Sequence, residues 1–385
     1  MKKIQVLATA LAAAAFLAGC GGNSAGDQTP RVKFTQMVNF GDSLSDVGTY
    51  NVGIVAAAGG GHYSINGAQA TGLAYTNWTE FLAAQLDLTQ PCAAETGLNT
   101  VQIAPGYVPV AATFHDTGAT PCLNYAQGGA RVTDPTGPGN AALFNPADTT
   151  SYSNAIGQLT IPVVTQISNY LAHNGGSFNG NQLVTVFAGG NDIFINLAEA
   201  GAGAITPTAA VTNMGQAGGE EAAYIATMIL AKGATHVVVV NLPDVSITPL
   251  GLSQSTQTQG LIKTMVTTFN DQLKAGLNAA ITATPSLANS IVYVDAFTAS
   301  EDQAANKAQY GLTDVITPAC DLSKASSSLI CTKATLIAAV TPSPLTAPAT
   351  AANTYEYADT VHPTPYGYRL LAELVGEQLA IKGWL

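Results

Sequence analysis

Phe34-Thr35-Gln36-Met37-Val38-Asn39-Phe40-Gly41-Asp42-Ser43-Leu44 is the stretch whose reading decides the fold. A short, mostly apolar run over 34–40 is stopped by a glycine and followed by small polar residues. This reads as a strand leaving a buried sheet through a tight turn. Four further runs of the same kind lie at 123–126, 183–188, 236–242 and 291–294. Their near-continuous hydrophobicity predicts strands buried on both faces, the habit of parallel sheets. Helical patterns over 77–86, 161–173, 220–232, 261–283 and 364–382 fill the intervals, with Gly233 as a helix stop and Pro363 as a start signal. Alternating strand and helix predicts an α/β chain: a parallel sheet of five strands with helices on both faces and ligands outside the carboxyl ends of the strands. Residues 51–76 and 314–353 do not join the pattern and are expected to form loops over the site, within a single domain spanning 34–385.

Composition narrows the function. Hydrophobic residues make up 47% of the 385, enough for a sizeable core, while only 10% are charged and the net charge is -11. Thirteen Lys and Arg residues cannot build the clustered basic face that phosphates require, so a nucleic-acid partner is excluded and acidic substrates are disfavoured. At the N-terminus, Lys2 and Lys3 precede an apolar run over 6–18 that is too short to span a bilayer. It ends in Leu17-Ala18-Gly19-Cys20, which resembles a bacterial lipobox. The expectation is a signal peptide over 1–20, acylation of Cys20, a flexible tether over 21–33, and an exported chain anchored in the bacterial cell envelope. The other four cysteines, Cys92, Cys122, Cys320 and Cys331, are even in number and suit an oxidising compartment. Of three possible connectivities, Cys92 with Cys122 and Cys320 with Cys331 are favoured, since each pair brackets a Gly/Pro/Thr-rich or Ser-rich insertion. No Cys-x-x-Cys element is present, which disfavours zinc, and no metal or other cofactor is expected.

Chemistry-bearing residues gather at the ends of the predicted strands. Ser43 follows the first; a helix starting near Ser45 would turn its positive end towards Ser43. The turn Gln127-Gly128-Gly129-Ala130 follows the second, where glycine lets a backbone amide approach a substrate oxygen. Gly189-Gly190-Asn191-Asp192 follows the third, and Asn191 could offer its amide to a developing negative charge. A serine nucleophile needs a base, and five histidines are available. His236 opens a strand, His173 closes a helix, and His62 and His115 lie in loops. His362 stands apart: Asp359-Thr360-Val361-His362-Pro363 sets a carboxylate three residues before the imidazole, close enough to hold its tautomer and stabilise its cation. Gly22-Asn23-Ser24-Ala25-Gly26 formally matches a nucleophile elbow, but no strand precedes it and it lies in the tether.

With F-G-D-S-L-S-D at 40–46, N-Y-A-Q-G-G-A at 124–130, G-G-N-D at 189–192 and D-T-V-H-P at 359–363, all in order, the chain resembles the GDSL, or SGNH, family of serine hydrolases. The resemblance covers essentially everything after the tether. It implies a three-layer α/β/α sandwich of flavodoxin-like type around a five-stranded parallel sheet. It further implies Ser43 as nucleophile, His362 as base and Asp359 as its orienting acid, with the Ser43 amide, Gly129 and Asn191 forming the oxyanion hole and Gly128 as a rival to Gly129. Asp42, Asp46 and Asp192 read as hydrogen-bonding or capping residues. Thr49 stands where long-chain members often carry Asn. The implied reaction is hydrolysis of a lipid or small-molecule carboxylic ester through an acyl-enzyme, with no obligate protein partner. An acyltransferase passing the acyl group to an alcohol or lysolipid, and a non-catalytic envelope lipoprotein, are the rival readings.

Overall fold

The computed structural model describes residues 32–67, 73–98, 110–117, 121–138, 160–338 and 354–385. The expected signal peptide, Cys20 and nearly all of the expected tether lie outside the described residues, as does 339–353 of the second loop.

Four strands form the main sheet: β1 (Gln36–Gly41), β4 (Gln182–Phe187), β5 (Val237–Val240) and β6 (Ile291–Val294), in the order β1-β4-β5-β6 and parallel throughout. A separate antiparallel pair, β2 (Glu95–Leu98) with β3 (Val110–Phe114), stands outside it. The fifth expected strand is not a strand. At 123–126 the chain makes single-residue parallel bridges, Asn39 to Asn124 on one side and Ala93 to Asn124 on the other. The backbone bonds to β1 run from Leu123 to Gln127, but the Gly41 N–H that would complete the next rung goes to Gln166 Oε1, while the Asn124 side chain accepts the Ala126 N–H and donates to the Ser45 carbonyl. This segment still occupies the sheet's edge beside β1, so the doubly wound spatial order survives with one rung in place of a ladder.

The helices are α1 (Gly53–Ala57), α2 (Trp78–Gln85), α3 (Val163–His173), α4 (Gly190–Gly201), α5 (Pro207–Tyr224), α6 (Pro249–Leu252), α7 (Thr256–Ala283), α8 (Ala296–Ala305) and α9 (Pro365–Lys382). The right-handed crossover rule, applied to this strand order, puts α2 on one face of the sheet and α3, α5 and α7 on the other, because the chain reverses its direction of travel after the edge segment. Packing agrees: α5 lies along α7, and α9 returns to pack on α2. The sheet is therefore the middle of three layers, and β1, β4 and β5 are buried along almost their whole length.

Helices start where capping predicts. Asn77 forms a capping box with Glu80, and Thr364 caps α9 through the Gly367 N–H. The helical pattern read at 220–232 is only the tail of α5 and its continuation through a π turn, Ile225–Ile229, into Leu230–Lys232. Glycines that look like helix breakers are contact points here. A Cβ at Gly218 would fall 2.3 Å from the Phe269 carbonyl oxygen of α7, so the residue lets two helices lie close.

The two insertions pack on each other. Ile65 joins Ala319, Cys320, Ala325, Cys331, Leu336 and Ala358 in a small second core. Disulfides join Cys92 to Cys122 and Cys320 to Cys331. Between the insertions, the Asn66 side-chain amide donates to the carbonyls of His62, Ser328 and Cys331, each at 3.0 Å.

Candidate active site

β1 ends where Gly41 is gripped by Gln166 of α3, whose Oε1 accepts the Gly41 N–H (2.9 Å) and whose Nε2 donates to its carbonyl (2.8 Å). With its backbone groups satisfied by a side chain, the strand stops and Asp42-Ser43 turn outward. No helix begins near Ser45. The Leu44 N–H bonds Asp42 Oδ1 and the Ser45 N–H bonds the Asp42 carbonyl, both at 3.0 Å, closing a turn through short-range polar groups that compete with helix. The helix end at the site belongs to α4 instead, which starts at Gly190 behind a left-handed Gly189 (φ 105°). Asp42 is drawn to the Gly190 N–H, so the positive end of α4 stands beside the Ser43 turn.

Ser43 and His362, 319 residues apart, meet with Ser43 Oγ 2.8 Å from His362 Nε2. On the other side of the ring, Nδ1 lies 2.8 Å from Asp359 Oδ2 and 3.0 Å from Oδ1. Local chain builds this pair. Asp359 Oδ1 accepts the N–H groups of Val361 (2.9 Å) and His362 (2.8 Å), and α9 begins three residues later, at Pro365. Asp359 Oδ2 also accepts the Ser328 N–H at 3.1 Å. Burial alone would push the Asp359 carboxyl up, but the His362 charge and the hydrogen bonds from His362 and Ser328 outweigh it and hold the group well below the usual carboxylate range.

Two residues that the sequence reading passed over support the imidazole. Tyr63, from the first insertion, sets its ring 4.9 Å from that of His362 at 35°. A Cβ at Gly128 would lie 2.3 Å from the Tyr63 ring, so the second motif block backs the tyrosine closely. Ser64 Oγ donates to the Pro363 carbonyl at 3.1 Å. Irregular segments supply these contacts, and no periodicity announces them.

Of the expected oxyanion donors, Ser43 and Asn191 line one cleft with His362. Asn191 Nδ2 donates one hydrogen to the Ala130 carbonyl (2.9 Å), which orients the amide and leaves its second hydrogen. The Gly128 N–H is committed to Asp46 Oδ2 at 2.9 Å, which removes it as a rival and leaves the Gly129 amide, at φ 84°, next to Ala130. Gly129 is not among the residues lining the cleft. Asp46 also accepts the N–H groups of Gly48 and Thr49, and Asp192 accepts Arg131 Nε and the Val132 N–H. Thr49 ties the first block to the second by donating its hydroxyl to the Ala126 carbonyl at 3.1 Å. The remaining histidines have other company: His62 meets Thr76, His115 meets Thr96, His236 meets the Gly180 carbonyl, and His173 packs on Phe114.

The walls of the cleft include Leu44, Phe187, Phe194, Leu242, Val245, Leu371 and Leu374. Two carboxyls interrupt this apolar lining. Burial pushes Asp42 up to about 7, against its bond from Leu44, and burial alone does the same to Glu356. Glu356 is half-buried as a residue, but its Oε2 is shut off from solvent and has no hydrogen-bond partner. Such a carboxyl keeps its proton in the folded chain at pH values where the unfolded chain has lost it. The stability it allows is therefore full below the ordinary pKa of 4.5 and falls as pH rises through about 7. Glu356→Gln should consequently match the wild-type thermal midpoint near about pH 4 and exceed it by a margin that grows up to about pH 8. Superimposable midpoint-against-pH curves would refute this.

A comparison with known families matches the GDSL-like lipase/acylhydrolase model to residues 37–375. A search of curated proteins finds no match. Since the matched region runs from the second residue of β1 into the last helix and takes in all four motif blocks, the chain belongs to the GDSL-like lipase/acylhydrolase family.

Proposed function

We propose that the protein hydrolyses carboxylic esters through an acyl-enzyme formed on Ser43. The observation that carries this reading is the unbroken line from Asp359 through His362 to Ser43 Oγ, opening on an apolar cleft. Family membership supports ester-bond hydrolysis in general.

In the proposed reaction, His362 Nε2 takes the Ser43 proton as Oγ attacks the ester carbonyl. Asp359 stabilises the resulting imidazolium and keeps Nδ1 as a donor. The negative oxygen of the tetrahedral intermediate faces the Ser43 N–H, the Gly129 N–H and the free hydrogen of Asn191 Nδ2. Collapse of the intermediate breaks the bond to the leaving alcohol, which takes the proton from His362. Water then enters, gives its proton to His362 and attacks the acyl carbonyl; the acid departs and Ser43 recovers its proton. The apolar walls suit an acyl chain rather than a charged group, since burying an unpaired charge there would cost far more than it returns.

Residues 34–385 form the catalytic domain in this reading, and an acylated Cys20 holds it at the cell envelope. Ser43→Ala should abolish hydrolysis of p-nitrophenyl esters and labelling by a fluorophosphonate while leaving the circular dichroism spectrum unchanged; retained turnover would sink the assignment. Asn191→Ala is predicted to lower kcat on the order of a hundredfold, measured on the same ester, with an unchanged kcat removing it from the oxyanion hole. In detergent phase partitioning the mature chain should enter the detergent phase and Cys20→Ser should stay in water, so equal partitioning would dispose of the anchor.

A further inference from the structure

Asp359 is held from two directions. Its Oδ1 is fixed by its own loop, through the N–H groups of Val361 and His362. Its Oδ2, the oxygen nearer to His362 Nδ1, takes its only donor from elsewhere in the described chain at Ser328, in the second insertion. A carboxylate gripped at one oxygen can still pivot about it; a second donor of different origin fixes its plane. Ser328 is fully buried, so this bond to a charged oxygen forms out of reach of water, where charge-assisted bonds are strong.

One disulfide and three hydrogen bonds close a ring around this contact. The Cys320 N–H donates to the Ala358 carbonyl at 2.9 Å, immediately before Asp359. The disulfide leads from Cys320 to Cys331, whose N–H bonds back to the Ser328 carbonyl at 3.0 Å. Ser328 then returns to Asp359. Asn66 braces the same turn from outside by donating to the Ser328 and Cys331 carbonyls. Each link shortens the range over which the Ser328 amide can wander relative to Asp359.

We propose that the Cys320–Cys331 loop positions the catalytic acid: the Ser328 backbone N–H holds Asp359 Oδ2 in line with His362 Nδ1, and the disulfide sets where that N–H stands. The inference rests on the reading of Ser43, His362 and Asp359 given above. It makes Ser328 a positioning residue that acts through its main chain, so the side chain is dispensable to the role; the Ser328 hydroxyl is buried without a partner.

The test compares, in the full chain, Ser328→Ala with a backbone ester at the same position, made by incorporating lactic acid in place of residue 328. The two share a methyl side chain and differ in the N–H. The ester should lower kcat by about tenfold or more, as expected for losing a bond to a charged group, with KM within about twofold. The downfield proton resonance of the His362 Nδ1–H should move or broaden. The Ala form, which keeps the N–H, should restore both. Cys320→Ser with Cys331→Ser should fall in kcat in the same direction. In the unaltered protein, which no folding defect can confuse, the Ser328 amide should exchange with solvent slowly. An ester form with the kcat and imidazole resonance of the Ala form, or a rapidly exchanging Ser328 amide, would overturn the proposal. If Ser43→Ala keeps its turnover, the esterase reading fails instead, and the resonance and the exchange rate still decide whether Ser328 holds Asp359.

Discussion

Gly41 lies opposite Phe187 in the parallel pair of β1 and β4, and the rest of the site depends on that register. It brings two strands to their ends at the same height, so the Ser43 turn and the start of α4 emerge side by side. The approach is close: a Cβ at Gly41 would fall 2.2 Å from the Phe187 carbonyl oxygen. A shift by one residue would put the Ser43 side chain on the wrong face and separate it from Asn191. The distant C-terminal segment then meets a prepared pair, and needs only to deliver an imidazole whose orientation its own aspartate has already set.

Burial gives the carboxylates around this junction a shared problem with different solutions. It pushes Asp42, Asp46 and Asp192 up, and backbone N–H groups or, for Asp192, Arg131 pull against it. Asp359 alone is driven below its ordinary range, because an imidazole stands against it in addition to its backbone donors. Sequence analysis assigned the first three to bonding and capping duties, and their hydrogen bonds agree: each ties its own motif block to a neighbouring one or closes the turn within it.

Much of the architecture was legible because it rests on local chemistry. β1, β4, β5 and β6 announce themselves as apolar runs, and α2, α3, α7 and α9 as periodic patterns with caps. The residues meeting at the cleft were legible for another reason: two motif blocks follow β1 and β4, where the fold collects them, and the last stands just ahead of α9. Errors arose where tertiary contact overrode local signal. The run at 123–126 looks like a strand, yet its ladder is cut short because Gln166 takes the Gly41 N–H. The expected helix near Ser45 gives way to a turn closed by Asp42. The helix expected from 220 begins at Pro207, and Gly218 within it lets α5 and α7 touch. Tyr63 and Ser328 were invisible because each comes from an irregular insertion whose path is set by the other, through Asn66 and a small shared core.

The separation of 319 residues between Ser43 and His362 also has a meaning in time. A ribosome makes this chain from the serine end, so the proposed nucleophile exists long before its proposed base. In the proposed mechanism Ser43 lacks its base until α9 has docked on α2, so a partly made chain has no activated nucleophile. Long-range contacts of this kind tend to slow folding, and in the proposed mechanism this one also delays catalysis until the last helix is in place.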